Sequence, residues 1–166
     1  DYKRSRDSYD EKVKSNPLFK GVKVITADVP PTMPFTKPAT QDLVVTFRNL
    51  HNWLGQDAMK AIMQEAYNSL KEGGHFGVVE HRAPEGSDLE FMKKSGYVTQ
   101  SLAIQTAQEV GFKFVASSEI NANPKDTADH PRGVWTLPPS FRLKDQDREK
   151  YAAIGESDRM TLLFKK

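Results

Sequence analysis

The sequence predicts an α/β fold built on a parallel β-sheet, and three consecutive segments carry this prediction. Asp42–Phe47 is a short apolar run rich in β-branched residues, typical of a strand buried on both faces of a parallel sheet. From Met59 to Leu70, apolar residues recur every three or four positions, which predicts an amphipathic helix. Phe76–Glu80 is a second apolar strand. Two strands joined by a helix form a βαβ unit with a right-handed crossover.

Glycine and threonine mark the predicted ends of the helices. Gly73–Gly74 follows the first helix, and a glycine there can adopt the left-handed conformation that ends a helix. Thr99 is a predicted N-cap for a second helix, which ends at Gly111. Phe112–Ile120 and Met160–Phe164 are the predicted strands that follow.

Two segments precede this unit. The charged segment Asp1–Lys14 predicts either a helix with a thin apolar stripe or a frayed end, and Asn16–Pro17 terminates it. Val22–Asp28 predicts another strand, and the prolines after it predict an extended segment without regular structure.

The segment Asn121–Ser157 is too polar and too rich in proline for an ordinary connection between two strands. A loop of this length inside a compact domain is usually functional or disordered. We predict a lid-like insertion that recognises substrate, with Trp135 as its apolar anchor, and a purely structural wrap is the alternative. Asp145–Tyr151 predicts a short charged helix within it.

Composition limits the function classes. The chain has 166 residues, a net charge of +2 and 28% charged residues, which suits one domain and gives no bias towards nucleic acid or membrane. No apolar run approaches the roughly 20 residues that span a bilayer. Cysteine is absent, which excludes disulfides, thiolate nucleophiles and cysteine-bound metal. Cytoplasm and periplasm both remain open as the compartment.

Polar residues follow both strands of the βαβ unit, at the edge where open α/β sheets bind ligands. His51 follows the first strand, and Glu80 and His81 end the second. Because a histidine titrates near neutral pH, it can accept a proton from a substrate hydroxyl or amine. These three residues are the predicted catalytic residues. For His51 the structural alternative is a side chain hydrogen-bonded to a backbone carbonyl.

The same three residues also offer metal ligands, since imidazole and carboxylate suit zinc, iron or manganese. No close spacing of two histidines supports a metal, so we predict none. Further residues near the strand ends and in the insertion are predicted to bind substrate: Asn52, Trp53, Arg82, Tyr97, Asn121, Asn123 and Trp135.

Several stretches resemble class I S-adenosylmethionine-dependent methyltransferases, and within them a bacterial branch of predicted methyltransferases. Asp42–Trp53 and Leu70–Arg82 resemble that family's fourth and fifth strands. More specific phrases follow at Glu119–Asp126, Gly133–Pro139 and Ile154–Met160. The resemblance runs from about Val22 to the C-terminus.

The resemblance implies a Rossmann-like sheet comprising the family's third to seventh strands, with the last strand antiparallel. The fourth, fifth, seventh and sixth strands would lie side by side in that order. It also implies S-adenosylmethionine as cofactor and methyl transfer to a small-molecule acceptor. Asp28 matches a polar position near the cofactor's adenine, with a turn cap as the alternative. Phe47, Arg48 and Asn49 are the other candidates for cofactor binding.

One departure from the family concerns its glycine-rich cofactor turn. Gly21 is the only glycine before Gly55, and no strand precedes it. We therefore expect residues 1–166 to be a single α/β domain that is the C-terminal part of a larger methyltransferase domain. It would supply mainly the substrate side, and a missing N-terminal half or another chain would complete the sheet. The alternatives are a non-catalytic binding module or inactive fragment, and a metal-dependent enzyme.

Overall fold

The computed structural model describes residues 2–166, so Asp1 of the predicted N-terminal helix lies outside the described residues. The helices are α1 (Tyr2–Ser15), α2 (Leu50–Gly55), α3 (Met59–Ser69), α4 (Leu89–Ser95), α5 (Gln100–Val110) and α6 (Arg148–Ile154). The strands are β1 (Gln41–Phe47), β2 (Leu70–Ala83), β3 (Val98–Thr99), β4 (Lys113–Ser118) and β5 (Arg159–Lys165). Short 3-10 turns lie at Pro17–Phe19 and Gly133–Thr136. The predicted α/β class is confirmed.

The sheet has the order β1-β2-β5-β4. β1 runs parallel to β2, whereas β5 runs antiparallel to both β2 and β4. The two residues of β3 pair parallel with the end of β2 at Arg82 and Ala83. This order corresponds to the fourth, fifth, seventh and sixth strands of class I methyltransferases, so the predicted Rossmann-like sheet with an antiparallel last strand is confirmed.

The hydrophobic core lies between one face of the sheet and the helical layer that contains α2, α3 and α5. Phe76 of β2 is buried at its centre, with ring centroids 5.1 Å from Phe112 and 6.1 Å from Phe164. The predicted face of α3 is buried at Met59, Ile62, Met63 and Ala66. Burial of these side chains is the main force that holds the helices on the sheet.

The opposite face of β1 is open. Leu43, Val45 and Phe47 alternate along this face and are 57%, 50% and 59% exposed. The prediction that β1 is buried on both faces is therefore wrong. The physical reason is that, within residues 2–166, no strand pairs with the outer edge of β1 and the helices cover only its other face.

The helix α3 ends at Ser69, and Leu70 already has the extended backbone of β2. The prediction that Gly73–Gly74 ends the helix is therefore wrong. Gly73 has a φ of +78°, and a Cβ on Gly74 would lie 2.9 Å from the carbonyl oxygen of Lys71. The pairing of β1 with β2 shifts register between Gln41 and Leu43. The two glycines thus belong to an irregularity inside β2, where an L-side chain would not fit.

The segment Val22–Asp28 has no regular secondary structure and is exposed along its whole length, so the predicted third strand is wrong. A strand needs a neighbour for its backbone N–H and C=O groups, and Val22–Asp28 pairs with no strand of residues 2–166. The sheet of this chain therefore begins at the position of the family's fourth strand.

Later elements agree more closely with the sequence. Thr99 caps α5 by accepting a hydrogen bond from the Leu102 N–H at 3.2 Å, and Gly111 ends α5 in the left-handed conformation. The short helix predicted at Asp145–Tyr151 is found as α6, three residues further along. Across residues 2–166, no helix is both long and apolar enough to cross a membrane.

Candidate active site

The candidate site lies at the carboxyl ends of β1 and β2. Arg48 follows β1 with a φ of +58°, a conformation that is uncommon for a side chain other than glycine and costs about 1–3 kcal/mol. Its backbone N–H donates to the carbonyl of Val79 in β2 at 2.7 Å. This turn redirects the chain into α2, which begins at Leu50 and brings His51 over the end of β2.

Glu80 is fully buried, and its carboxylate accepts three N–H groups. His51 donates its backbone N–H to Oε2 at 3.2 Å, and its Nδ1 lies 3.0 Å from Oε1. The backbone N–H of His81 donates to Oε1 at 2.8 Å. A carboxylate at Nδ1 selects the tautomer with its proton there, which leaves the lone pair of His51 on Nε2.

His81 forms the second half of the pair of histidines. Its ring centroid lies 5.3 Å from that of His51, and its Nδ1 lies 2.5 Å from the hydroxyl of Ser157. Burial is the main cause that lowers the pKa of His81 to about 3, and electrostatic interactions with His51, Arg159 and Arg48 lower it further. His81 is therefore neutral at physiological pH and a weak base, and its ring can take part in hydrogen bonds.

Both rings border a cavity of about 340 Å³, which we call the histidine cavity. Its lining includes Phe47, Arg48, His51, His81, Trp135 and Arg159. Within residues 6–166, neither His51 nor His81 has a hydrogen-bond partner on Nε2, so this atom of each ring is available to a ligand in the cavity. The buried Nε of Arg159 also lacks an acceptor among these residues.

The ligand atoms of His51, Glu80 and His81 all lie within 4.8 Å of one another, a spacing that a metal site also has. Both oxygens of Glu80 already accept N–H groups. The donors that remain are two imidazole nitrogens, whereas catalytic zinc has three protein ligands and structural zinc has four. The donor set therefore fits proton transfer better than a metal ion.

The predicted cofactor residues separate into two groups. Phe47, Arg48 and Asn49 line the histidine cavity. Asp28 does not: it lies with Asn49 in a second, mostly apolar cavity of about 270 Å³, and its carboxylate accepts the hydroxyl of Thr32 at 2.5 Å. No glycine-rich turn follows a strand in the part of the chain that the structure describes.

Trp135 alone among the predicted substrate residues lines the histidine cavity. Tyr97 is buried behind it, with its ring centroid 6.2 Å from that of His81. Trp53 borders the second cavity instead, and Asn52 is exposed on α2.

Three other predicted substrate residues make structural contacts away from the histidine cavity. Arg82 pairs with both Glu119 and Asp158, at 2.7 and 2.8 Å. Asn121 donates to the hydroxyl of Thr161, and Asn123 donates to the carbonyls of Ile154 and Glu156. These bonds join the two ends of the insertion to each other and to the sheet.

Asp126 connects the insertion to the body of the fold. It accepts the hydroxyl of Tyr97, the Nε2 of His130 at 2.8 Å and the backbone N–H of Asp158 at 2.8 Å. Burial and the adjacent Asp126 carboxylate raise the pKa of Tyr97 well above its usual value, so its hydroxyl stays protonated as a donor. The insertion is thus fixed by buried polar bonds, and it forms one wall of the histidine cavity.

Sequence reasoning did not single out Ser157 or Arg159 as site residues. Both lie in the stretch Ile154–Met160 that resembles the methyltransferase branch, and this was the only available signal. Ser157 is 76 residues from the histidine that it contacts, so local spacing gives no indication of the pair.

Comparison with known proteins identifies the fold. No protein-family model matches the chain, and no curated protein matches it. The [4+2]-cyclase SpnF superposes with a TM-score of 0.61 at 15% identity, over 95% of this chain and 60% of SpnF. An S-adenosylmethionine-dependent methyltransferase from Mesorhizobium loti gives 0.51 at 14% identity, over 94% and 77%. PigF with SAH gives 0.51 at 12% identity, over 94% and 38%.

These similarities show that the chain has the fold of class I S-adenosylmethionine-dependent methyltransferases. The chain spans less than two thirds of SpnF and of PigF. Because one of these proteins is a cyclase, the fold alone does not fix the reaction.

Proposed function

We propose that this chain supplies the acceptor side of an S-adenosylmethionine-dependent methyltransferase. The observation that carries the proposal is the buried hydrogen bond between Glu80 and Nδ1 of His51 at the carboxyl ends of β1 and β2. In an open α/β sheet this is the edge where ligands bind. The bond holds the ring so that Nε2 is free to accept a proton in the histidine cavity.

The reaction needs few protein groups. S-adenosylmethionine, when bound, supplies a methyl group on a sulfonium centre, and the acceptor supplies a hydroxyl or amine. The acceptor's oxygen or nitrogen would take this methyl group, and the cofactor would leave as S-adenosylhomocysteine. The acceptor then loses its proton, and Nε2 of His51 takes it. The carboxylate of Glu80 stabilises the imidazolium that results.

His81 and Trp135 contribute by position. His81 is neutral at physiological pH, so its free Nε2 can accept a hydrogen bond from the acceptor and orient it beside His51. Trp135 lies edge-on to His51, with ring centroids 5.9 Å apart, and closes the cavity from the insertion side. Excluding water and aligning the reactants contribute most to a direct displacement of this kind.

The cofactor side needs residues beyond those described. We propose that a further segment or another chain packs against the open face of β1, where Leu43, Val45 and Phe47 are exposed. Phe47 belongs to that face and also lines the histidine cavity. Whatever covers β1 therefore adjoins the site, which is where the cofactor must lie.

The test is an assay of S-adenosylhomocysteine formation by the longest natural form of this protein, with hydroxyl and amine acceptors. We expect His51→Gln to lower turnover by about 10²–10⁴-fold, the usual contribution of a positioned acid or base. The matched control is His75→Gln, because His75 also lies in β2 but does not line the cavity. Equal turnover in both variants would remove His51 from the mechanism.

A non-catalytic binding module is the second candidate. It is favoured by the absence of a glycine-rich turn after a strand within residues 2–166. Native mass spectrometry of the purified protein separates the two candidates. Retained S-adenosylmethionine or S-adenosylhomocysteine supports the methyltransferase. A protein that binds neither compound at millimolar concentration in its longest natural form supports the module.

A further inference from the structure

A third cavity shares Trp135 with the histidine cavity and is lined by residues of α4 and of the insertion. It measures about 490 Å³, and we call it the arginine cavity. Lys94 of α4 and Arg132 and Arg142 of the insertion line it, against a single carboxylate, Asp129. The cavity therefore has an excess of positive charge, although the whole chain is close to neutral at +2.

These three cations are not used in ion pairs. Within residues 6–166, whose side chains are described, no carboxylate lies within 4.0 Å of Lys94, Arg132 or Arg142. Asp129 instead accepts the hydroxyl of Thr127 at 2.5 Å, and this bond lowers the pKa of its carboxyl. Three cations around one concave surface repel one another unless an anion lies between them.

Arg142 is held in a fixed position. Its guanidinium lies 4.7 Å from the centroid of the Trp135 ring, and its backbone N–H donates to the carbonyl of Trp135 at 2.9 Å. A stacked guanidinium loses little freedom when it binds an oxyanion, and its planar fork matches a carboxylate or phosphate. Trp135 and Phe91 add apolar surface to the same cavity.

His130 supplies a buried polar group in the arginine cavity. Its side chain is only 5% exposed, and its Nε2 is bound to Asp126, which leaves Nδ1 without a partner among residues 6–166. The pair Asp126–His130 has the same arrangement as Glu80–His51: a fully buried carboxylate holds one ring nitrogen, and the other is free in a cavity.

Trp135 lines both cavities, so the two cavities adjoin at this residue. We propose that the acceptor is a flat organic anion whose carboxylate or phosphate binds Lys94, Arg132 and Arg142. Its reactive hydroxyl or amine then reaches His51 in the histidine cavity. This inference rests on the proposed function for the reactive end, whereas binding of the acid group is a separate property of the arginine cavity.

The test uses benzoate and phenyl phosphate as probes and benzyl alcohol as their neutral counterpart. The chain has two tryptophans, so ¹H–¹⁵N spectra contain two indole N–H signals. We expect both anions to shift the signal of Trp135 saturably and to leave that of Trp53 in place, because Trp53 does not line the arginine cavity. Benzyl alcohol should bind at least about tenfold more weakly. Whichever anion binds more tightly identifies the acid group.

The variant Arg132→Gln/Arg142→Gln should weaken binding of both anions at least about tenfold, since it removes two charged donors. Both side chains are on exposed residues, so the fold should persist, and unchanged signals elsewhere in the spectrum will show it. The matched control is Lys23→Gln, an exposed cation outside the cavity, which should bind like the unaltered chain.

Three results would overturn the proposal: equal binding of benzyl alcohol, no effect of the double variant, or loss of binding in Arg48→Gln instead. The last result would place the acid group in the histidine cavity, which Arg48 lines. Anion binding in a protein that transfers no methyl group would contradict the proposed function but would support the anion site. The two ideas are therefore tested separately.

Discussion

The carboxylate of Glu80 accepts both the backbone N–H and the ring Nδ1 of His51, so one buried side chain fixes the position and the tautomer of a histidine 29 residues earlier in the chain. This relationship joins the first turn of α2 to the carboxyl end of β2. It also makes the site sensitive to changes that leave its outer surface intact.

Replacing the carboxylate of Glu80 tests whether its buried hydrogen bonds stabilise the fold. Glu80→Gln keeps the shape but turns one acceptor oxygen into an NH₂ group that faces N–H donors. We expect a loss of about 1–3 kcal/mol in the free energy of unfolding, because buried donors are left without acceptors. Urea unfolding measures it. The control Glu72→Gln, exposed on the same strand, should change stability by less than about 0.5 kcal/mol. Equal midpoints for the two variants would contradict the buried network.

His81 predicts a pH dependence of stability. Its pKa is about 3 in the folded chain, below the ordinary value of 6.5, so the unfolded chain binds the proton more readily. This group therefore lowers stability as the pH falls from about 6.5 towards 3, with a slope of up to about 1.4 kcal/mol per pH unit.

Urea unfolding between pH 7.5 and 5 measures this slope above the range in which most carboxylates titrate. In His81→Gln the slope should be smaller by close to one proton's contribution. The comparison variant His75→Gln should keep the slope. If His81→Gln and the unaltered chain have the same slope, His81 is protonated at its ordinary pKa and is not buried as described.

A single methyl group added at Gly133 should lower the stability of the fold strongly. Gly133 has a φ of +58°, and its added Cβ would overlap the carbonyl of Ser95 in α4. We expect Gly133→Ala to destabilise the chain by at least about 1–3 kcal/mol, as overpacking does, and to shift the Trp135 indole signal. Gly55→Ala is the control, because its Cβ would meet nothing within 4 Å. Equal melting temperatures would show that the insertion does not pack against α4.

Replacing Phe76 measures how much the packed core contributes to the free energy of unfolding. Phe76→Ala removes a ring that is stacked with Phe112 and Phe164, and we expect it to cost about 3–5 kcal/mol. Leu18→Ala, at a residue that is 89% exposed, should change stability by less than about 0.5 kcal/mol. Chemical unfolding of both variants measures these two losses of stability. A cost below about 1 kcal/mol for Phe76→Ala would mean that this face of the sheet is not tightly packed.

The sequence predicted the elements whose signals are local. The period of α3, the Thr99 cap and the Gly111 end of α5 depend on neighbours a few residues away, and all three are present. The sequence predicts a helix end at Gly73–Gly74, but both glycines lie inside β2. A glycine with a positive φ is suited to a helix end and to a strand irregularity alike. Sequence alone does not distinguish these two uses.

Contacts between residues that are far apart in the chain are harder to predict from the sequence. The strand predicted at Val22–Asp28 failed because strand formation depends on a neighbour, which local composition does not report. Glu80, His51 and His81 lie together as the sequence predicts, because strand ends meet at one edge of a sheet. The bond from Ser157 to His81 and the role of Asp126 depend on how a 37-residue loop folds back, and no periodic pattern encodes that path.

The open face of β1 has a consequence for how this protein must be handled. An unpaired strand edge beside exposed apolar side chains is a template for adventitious strand addition, so the chain by itself is expected to self-associate at high concentration. Phe47 belongs both to that surface and to the histidine cavity. The segment or chain that we propose to cover β1 would therefore protect this surface from self-association and adjoin the histidine cavity at the same time, so solubility and activity should be gained together during purification.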